Sequence, residues 1–273
     1  MSVEIDVLIP TYARPAALAV VLSCLAGQTL RSFRVIVSDQ SDGGGDGGEG
    51  AFGTPEFIAL QRFFRARKIG LVPLRHLPRR GMAEQRAFLL AQATARYSLF
   101  LDDDVLIEPD LLSRLLQTIK RVQSGFVGSA LHSLSHVGED RPGQERVNYW
   151  DNVVEPGTVE PDSVLGIHHQ PHADADLFHL QSDPDLLMGH TRCHRVAWVG
   201  GCVLFDTEKL RSSGGFDFWP ELPVEHAGED VLAQLKVMQR FGGCAIVPSG
   251  AYHMELPTTL PGREMDAPKA LWR

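Results

Sequence analysis

Three consecutive carboxylates, Asp102, Asp103 and Asp104, stand in the stretch FLDDDVLIEPD. They close YSLFLDDD, which begins as an apolar run and reads as a buried strand. In α/β sheets, ligands bind beyond the carboxyl ends of strands. Crowded carboxylates raise one another's pKa unless a cation neutralises them. Oxygen-only ligands suit Mg²⁺ or Mn²⁺, often shared with substrate phosphates. In an extended chain Asp102 and Asp104 project to one side and Asp103 to the other. The plainer reading is an acidic turn before the helix that Pro109 opens. Glu108 and Asp110 suit that helix N-terminus, but capping does not need three acids upstream.

Two further stretches carry reactive groups. In VEHAGEDVLAQL, Glu229 and Asp230 begin a helix, where the macrodipole favours carboxylates. They are either simple capping residues or a general base held near a reacting hydroxyl. In LIPTYARP a strand ends at Pro10, and Thr11, Tyr12 and Arg14 lie on the following turn. Hydroxyls, a ring and a guanidinium there could hold a base and phosphates, or form an ordinary loop. The run SDQSDGGGDGGEG contains Gly43, Gly45 and Gly48 at G-x-G-x-x-G spacing. A dinucleotide loop should run straight from strand into helix. Here Asp42, Asp46 and Glu49 would repel phosphate, and Phe52 to Pro55 intervene, so the run reads as a surface loop.

The elements that must position these groups alternate. IDVLI, FRVIVSD, LVPLRHL and YSLFLDDD read as strands. Between and after them, PAALAVVLSCLAGQ, PEFIALQRFFRARK, GMAEQRAFLLAQATA and PDLLSRLLQTIKRV read as helices, three with Pro in the first turn. Such alternation implies a mostly parallel sheet covered on both faces. From about Leu131 to Arg195 the pattern fails, and eight of the eleven histidines fall between His132 and His194. His168, His169 and His172 raise a zinc site, but no ligand spacing supports one and a polar loop over the site fits better. Regular structure returns with AWVGGCVLF as a strand, EDVLAQLKVMQRF as a helix and CAIVP as a strand. The Pro-rich tail from Pro257 is expected to drape over the surface.

The 273 residues allow one large domain or two small ones. A net charge of −8 argues against a nucleic-acid partner. The four cysteines form no C-x-x-C pair and read as reduced, buried thiols of a cytoplasmic protein. No signal peptide is evident, and Pro15 to Ala26 is too short to span a bilayer. No integral span is expected, though peripheral association at a membrane stays open.

LIPTYARP, VIVSDQSDG, GMAEQRA, FLDDDV, GGCVLFDTEKLRSSGGFD and GEDVLAQLKVMQRFGG together resemble, in order, the motifs of family-2 glycosyltransferases of the GT-A fold. The resemblance implies a Rossmann-like α/β/α sandwich and sugar transfer from a nucleotide-sugar with inversion at the anomeric carbon. It implies one GT-A domain over 1–273: a nucleotide-sugar part to about 130, a His-rich insertion at about 131–195, an acceptor and catalytic part at about 196–256, and a tail. By position, Thr11, Tyr12 and Arg14 would lie in the nucleotide pocket. Asp39 resembles the acid that holds the base edge, and Arg86 the arginine near ribose and pyrophosphate. Asp102 and Asp104 look like the D-x-D pair on Mn²⁺ or Mg²⁺, Asp102 also reaching the nucleotide, with Asp103 counted on the nucleotide side. His253 matches a further metal ligand of some members. Asp230 resembles the catalytic base, with Glu229 beside it. Among Trp150, Trp198 and Trp219, which either pack in core or loops or stack on an acceptor sugar, Trp219 in GGFDFWPEL is favoured for stacking because it shortly precedes the Glu229–Asp230 helix. The implied partners are the donor and a glycan, lipid-linked or small-molecule acceptor.

The sequence departs from the family pattern at Ser38, Gln85 and Ala87, so base and ribose contacts should differ in detail. Other readings fit less well. A sugar-nucleotide pyrophosphorylase should have a glycine-rich loop after its first strand, and LIPTYARP has no glycine. A haloacid-dehalogenase-like phosphatase puts D-x-D on its first strand with Thr or Val two residues on, where this chain has Leu106. A non-catalytic nucleotide-sugar sensor would not need Asp230 beside a complete D-x-D.

Overall fold

The computed structural model describes residues 2–42, 50–136, 148–151, 153–158, 188, 190–259, 262 and 264–272. The glycine run at 43–49 and the histidines His168, His169 and His172 lie outside them. The parallel half of the main sheet is built from β1 (Ile5–Thr11), β2 (Phe33–Asp39), β3 (Gly70–Arg75) and β4 (Tyr97–Leu101), in the order β3-β2-β1-β4. The sheet continues through β9 (Cys202–Asp206), β6 (Phe126–Gly128), β10 (Gly243–Val247) and β8 (Arg192–His194). β9 runs antiparallel between β4 and β6, and β8 runs antiparallel along the edge at β10. The other six strands share one direction, so their carboxyl ends face the same side.

Helices cover both faces, because side chains alternate across each strand. Ile5, Val7 and Ile9 of β1 face one core with α1 (Pro15–Ala26), α2 (Pro55–Ala66) and α4 (Leu111–Val122). Leu8 faces the other core, with Phe100, Phe126 and Phe205, under α3 (Met82–Gln92), α5 (Thr207–Ser212) and α6 (Glu229–Phe241). The expected α/β/α sandwich is therefore the observed one. Pro sits in the first turn of α1 and of α2, where its missing N–H is harmless, and Thr54 caps α2 from Phe57 N–H.

A second sheet of three short strands sits at the carboxyl end of the first. β11 (Ala251–His253) lies between β5 (Val105–Ile107) and β7 (Leu131–Ser133). It carries His253 to the acidic turn, since Met254 N–H bonds the Asp104 carbonyl at 2.9 Å.

The tail does not lie loosely on the surface as expected. Ala227 and Asp266 form a β-bridge, Ala267 is fully buried, and α7 (Ala267–Leu271) packs on α6. The predicted strand AWVGGCVLF is regular only from Cys202. Gly201 has φ +66°, and a Cβ there would come within 2.7 Å of Leu131. Its carbonyl instead accepts the Asp102 N–H at 2.9 Å.

Candidate active site

A cleft of about 180 Å³ opens at the carboxyl ends of β1 and β4. Its walls include Thr11, Tyr12, Arg14, Asp102, Asp103, Asp104 and His253, seven of the residues singled out from the sequence. Pro10, Met82, Leu256, Thr258 and Thr259 complete it, and the sequence pattern gave no hint of the last four. Thr258 and Thr259 belong to the Pro-rich tail and Leu256 directly precedes it, where a lack of periodicity concealed a wall of the site.

The acidic turn differs from the extended-chain expectation. β4 ends at Leu101, and residues Asp103 and Asp104 form a turn, so strand alternation no longer sorts the side chains. Asp103 and Asp104 point together at Arg14, at 3.3 and 2.5 Å, while Asp102 turns to Arg86 at 2.9 Å. Thr11 Oγ1 donates to Asp103 at 2.6 Å. Burial foremost pushes the Asp103 carboxyl up to about 6. The Thr11 bond and Arg14 oppose that shift, and the charges of Asp104 and Asp102 add to it. Downstream, Glu108 and Asp110 play the plainer part, both pairing with Arg114 on α4.

Arg86, on α3, lies behind the cleft rather than in its wall. Nearly buried, it donates from Nη2 to Asp102 and from Nε to Glu229 at 3.0 Å. Burial opposes its charge, but Asp102, Glu229 and Asp230 outweigh that and hold its pKa above the ordinary value. Arg86 thus links the acidic turn to the N-terminus of α6. Glu229 is not a capping residue, because its carboxylate serves Arg86 and Gly228, at φ +77°, holds the N-cap position.

Asp230 sits in the first turn of α6. Its carboxyl is pushed up to about 7, chiefly by burial and next by Glu229, with Arg86 pulling the other way. The side chain keeps a partial opening to solvent, so its desolvation is incomplete. A carboxylate poised near neutrality is the kind of group that takes a proton from a hydroxyl. Two groups missed in the sequence hold this region in place. His226 Nε2 accepts the Ala83 N–H at 3.1 Å, and its Nδ1 faces the Pro223 carbonyl at 2.7 Å. Fully buried Gln234 clamps both the N–H and the carbonyl of Val199 at 2.8 Å. Neither residue has a local signature.

Arg86, Glu229 and Asp230 are not among the residues that line the cleft, and neither are Asp39 and Trp219. Asp39 is fully buried, and its oxygens take bonds from Ser41 N, Ser41 Oγ and Ala51 N at 2.8, 2.5 and 2.9 Å. It ties together the two stems of the loop after β2. Trp219 is half-buried in a single 3₁₀ turn and packs on the α3–α6 core.

Among the described residues no three His, Cys, Asp or Glu side chains converge as a ready-made metal cage. Asp104 Oδ2 and His253 Nε2 lie 3.6 Å apart, and Asp102 keeps 35% of its side chain exposed. Such a partial shell fits an ion that takes its other ligands from water and substrate phosphate. His253 Nδ1 accepts the Glu255 N–H at 3.0 Å. With the ring neutral, its proton is then on Nε2, facing Asp104, and must move before that nitrogen can ligate.

Residues 54–169 match the model of glycosyl transferase family 2. The sequence matches no curated protein. Among solved structures, S. aureus TarS is similar at 16% identity and TM-score 0.58, over 92% of this chain and 36% of TarS. TarS 1-349 in complex with UDP-GlcNAc is similar at 15% identity and TM-score 0.59, over 94% of this chain and 60% of that one. The mannosyltransferase PcManGT from Pyrobaculum calidifontis, in complex with GDP-Man and Mn²⁺, gives 17% identity and TM-score 0.52, over 90% and 57%. The chain thus spans 36 to 60% of the length of these structures. The resemblance to family-2 glycosyltransferases holds in both sequence and fold, and the fold is GT-A.

Proposed function

We propose that the chain transfers a sugar from a nucleoside-diphosphate sugar to a hydroxyl acceptor, with a divalent ion and with inversion. The observation that carries this reading is the Arg86 bridge, which joins a cleft-lining carboxylate, Asp102, to the helix end bearing Asp230. Similarity to structures bound to UDP-GlcNAc and to GDP-Man with Mn²⁺ supports the donor class. The nucleoside diphosphate would occupy the cleft beside Thr11, Tyr12 and Arg14. Asp102 and Asp104 would hold Mn²⁺ or Mg²⁺, joined by His253 once its Nε2 proton has moved. The bound ion would act as a Lewis acid on the leaving diphosphate.

The chain's own residues supply the rest. A sugar hydroxyl is a poor nucleophile near neutral pH, and Asp230 takes its proton as attack proceeds. A single base on the face opposite the leaving group gives inversion. Arg86 keeps Asp230 more readily ionised than burial beside Glu229 alone would allow. Asp39 and Trp219 have less direct parts in this scheme, the first shaping the nucleotide side and the second backing the acceptor side. The 196–256 region carries the acceptor and the base. No helix among the described residues is long and apolar enough to cross a membrane.

Thermal unfolding with UDP-, GDP-, dTDP- and CDP-sugars, with and without Mn²⁺, tests the donor site. A ligand at 100 times its Kd adds about 2.7 kcal/mol of stability. One nucleotide should give a metal-dependent shift that Asp104→Asn loses. No shift with any donor would argue for a non-catalytic or acceptor-gated protein.

A further inference from the structure

Arg14 makes contacts that nucleotide binding alone does not account for. Arg14 Nη1 lies 2.5 Å from Asp104 Oδ2 and 3.3 Å from Asp103 Oδ1, and Nη2 donates to the Pro257 carbonyl. Its side chain is only 15% exposed, so these are not solvent-screened surface pairs. Asp104 Oδ2 is also the oxygen that faces His253 Nε2. An ion held between Asp104 and His253 would need the same oxygen that Arg14 now bonds. Two cations on one carboxylate oxygen repel, and more strongly where protein replaces water.

We infer that Arg14 is the resident counter-cation of Asp103 and Asp104, displaced by the divalent ion and passed to the diphosphate of the donor. Two adjacent, nearly buried carboxylates need a positive neighbour, and Arg14 supplies one charge where the ion supplies two. The diphosphate entering with the ion brings the negative charge that a freed guanidinium binds as a two-pronged donor. Arg14 already lines the cleft, so the exchange needs only a side-chain swing. It also breaks the bond to Pro257, which stands in the Leu256–Thr259 wall of the cleft.

This inference rests on the metal role proposed above, and Mn²⁺ binding to the full chain separates the two. Free Mn²⁺ is counted by electron paramagnetic resonance, with and without UDP as the diphosphate probe. Arg14→Gln should bind Mn²⁺ alone roughly tenfold tighter than wild type, because a charge-assisted competitor is gone. UDP should raise Mn²⁺ affinity more in wild type than in Arg14→Gln, which has no guanidinium to offer. Arg14→Lys, the gentler change, keeps the charge but has one nitrogen where Arg14 uses Nη1 on the carboxylates and Nη2 on the Pro257 carbonyl, and should fall between. If wild type binds Mn²⁺ and Arg14→Gln binds it no tighter, the exchange is wrong and the metal role stands. If none of the three binds Mn²⁺ even with UDP, both fall.

Discussion

The parallel strands end in buried carboxylates on both sides, and the two ends are built differently. At the start of β1, fully buried Asp6 takes bonds from Arg34 Nε and Nη2 at 2.6 and 3.1 Å and from the backbone N–H groups of Thr94 and Ala95 at 2.6 and 2.8 Å. Its capacity is filled by groups fixed in the fold. At the opposite end, Asp102, Asp103 and Asp104 share Arg14 and Arg86, and Asp102 stays partly open. A saturated carboxylate stabilises a fold, and an undersupplied one keeps capacity for a ligand. Asp39 sharpens the distinction, since it stands at the functional end yet is fully buried and takes three bonds from its own loop stems. Position at the carboxyl edge is therefore not enough to mark a ligand-binding acid.

The largest effect should come from the open end. Asp230→Asn removes the base but keeps size and polarity. It should cut transfer by about two to four orders of magnitude with donor affinity nearly intact. The wild-type rate should climb as pH rises through about 7, because the base works only when ionised. Steady-state rates with a Mn²⁺-loaded donor would check both. Normal transfer by Asp230→Asn would remove Asp230 from the mechanism and leave Glu229 as the nearest carboxylate.

The saturated end should answer in stability alone. Asp6→Ala strands two backbone N–H groups and takes the carboxylate partner from Arg34. A buried pair broken on one side costs ~3–5 kcal/mol. Arg34 still bonds Thr94 Oγ1 at 2.8 Å and reaches water, so about 3 kcal/mol is the expected loss. Urea unfolding measures it. Nucleotide affinity, taken where the variant is still folded, should not move. A variant that kept its stability but lost nucleotide binding would reverse the assignment of the two ends.

The contrast between the ends also shows what the sequence could and could not tell. Pro at the first turn made α1 and α2 legible, and the predicted run EDVLAQLKVMQRF is α6 residue for residue. Strands of three residues, such as β5, β7 and β11, carry no usable period, and their partners lie far along the chain. That is why the small sheet, and with it the placement of His253 beside Asp104, was not legible. The acidic turn was found by residue type, but its directions were misjudged, since alternation holds only while the strand continues. Nothing in FLDDDV says that it stops at Leu101 to meet the Gly201 carbonyl. The link made by Arg86 was not legible, because a bridge between residues 102 and 229 is a tertiary fact.

The smallest expected effect tests whether the open end is held at an energetic disadvantage. The Asp230 carboxyl is pushed up to about 7 in the fold, against an ordinary value of 3.8. Between those limits the folded chain holds a proton that the unfolded chain has released. Stability therefore falls as pH rises from about 4 to about 7, on account of this group. Asp230→Asn cannot ionise and escapes the penalty. It should be more stable than wild type at pH 8 by about 1–2 kcal/mol, a figure reduced from the full shift because the side chain meets some solvent. The gain should shrink as pH falls and vanish near pH 4. Urea midpoints of the two proteins across that range give the comparison. A constant difference would mean that asparagine merely packs better. No difference at any pH would mean that Arg86 already offsets the buried charge, and the base would then be ionised well below neutrality.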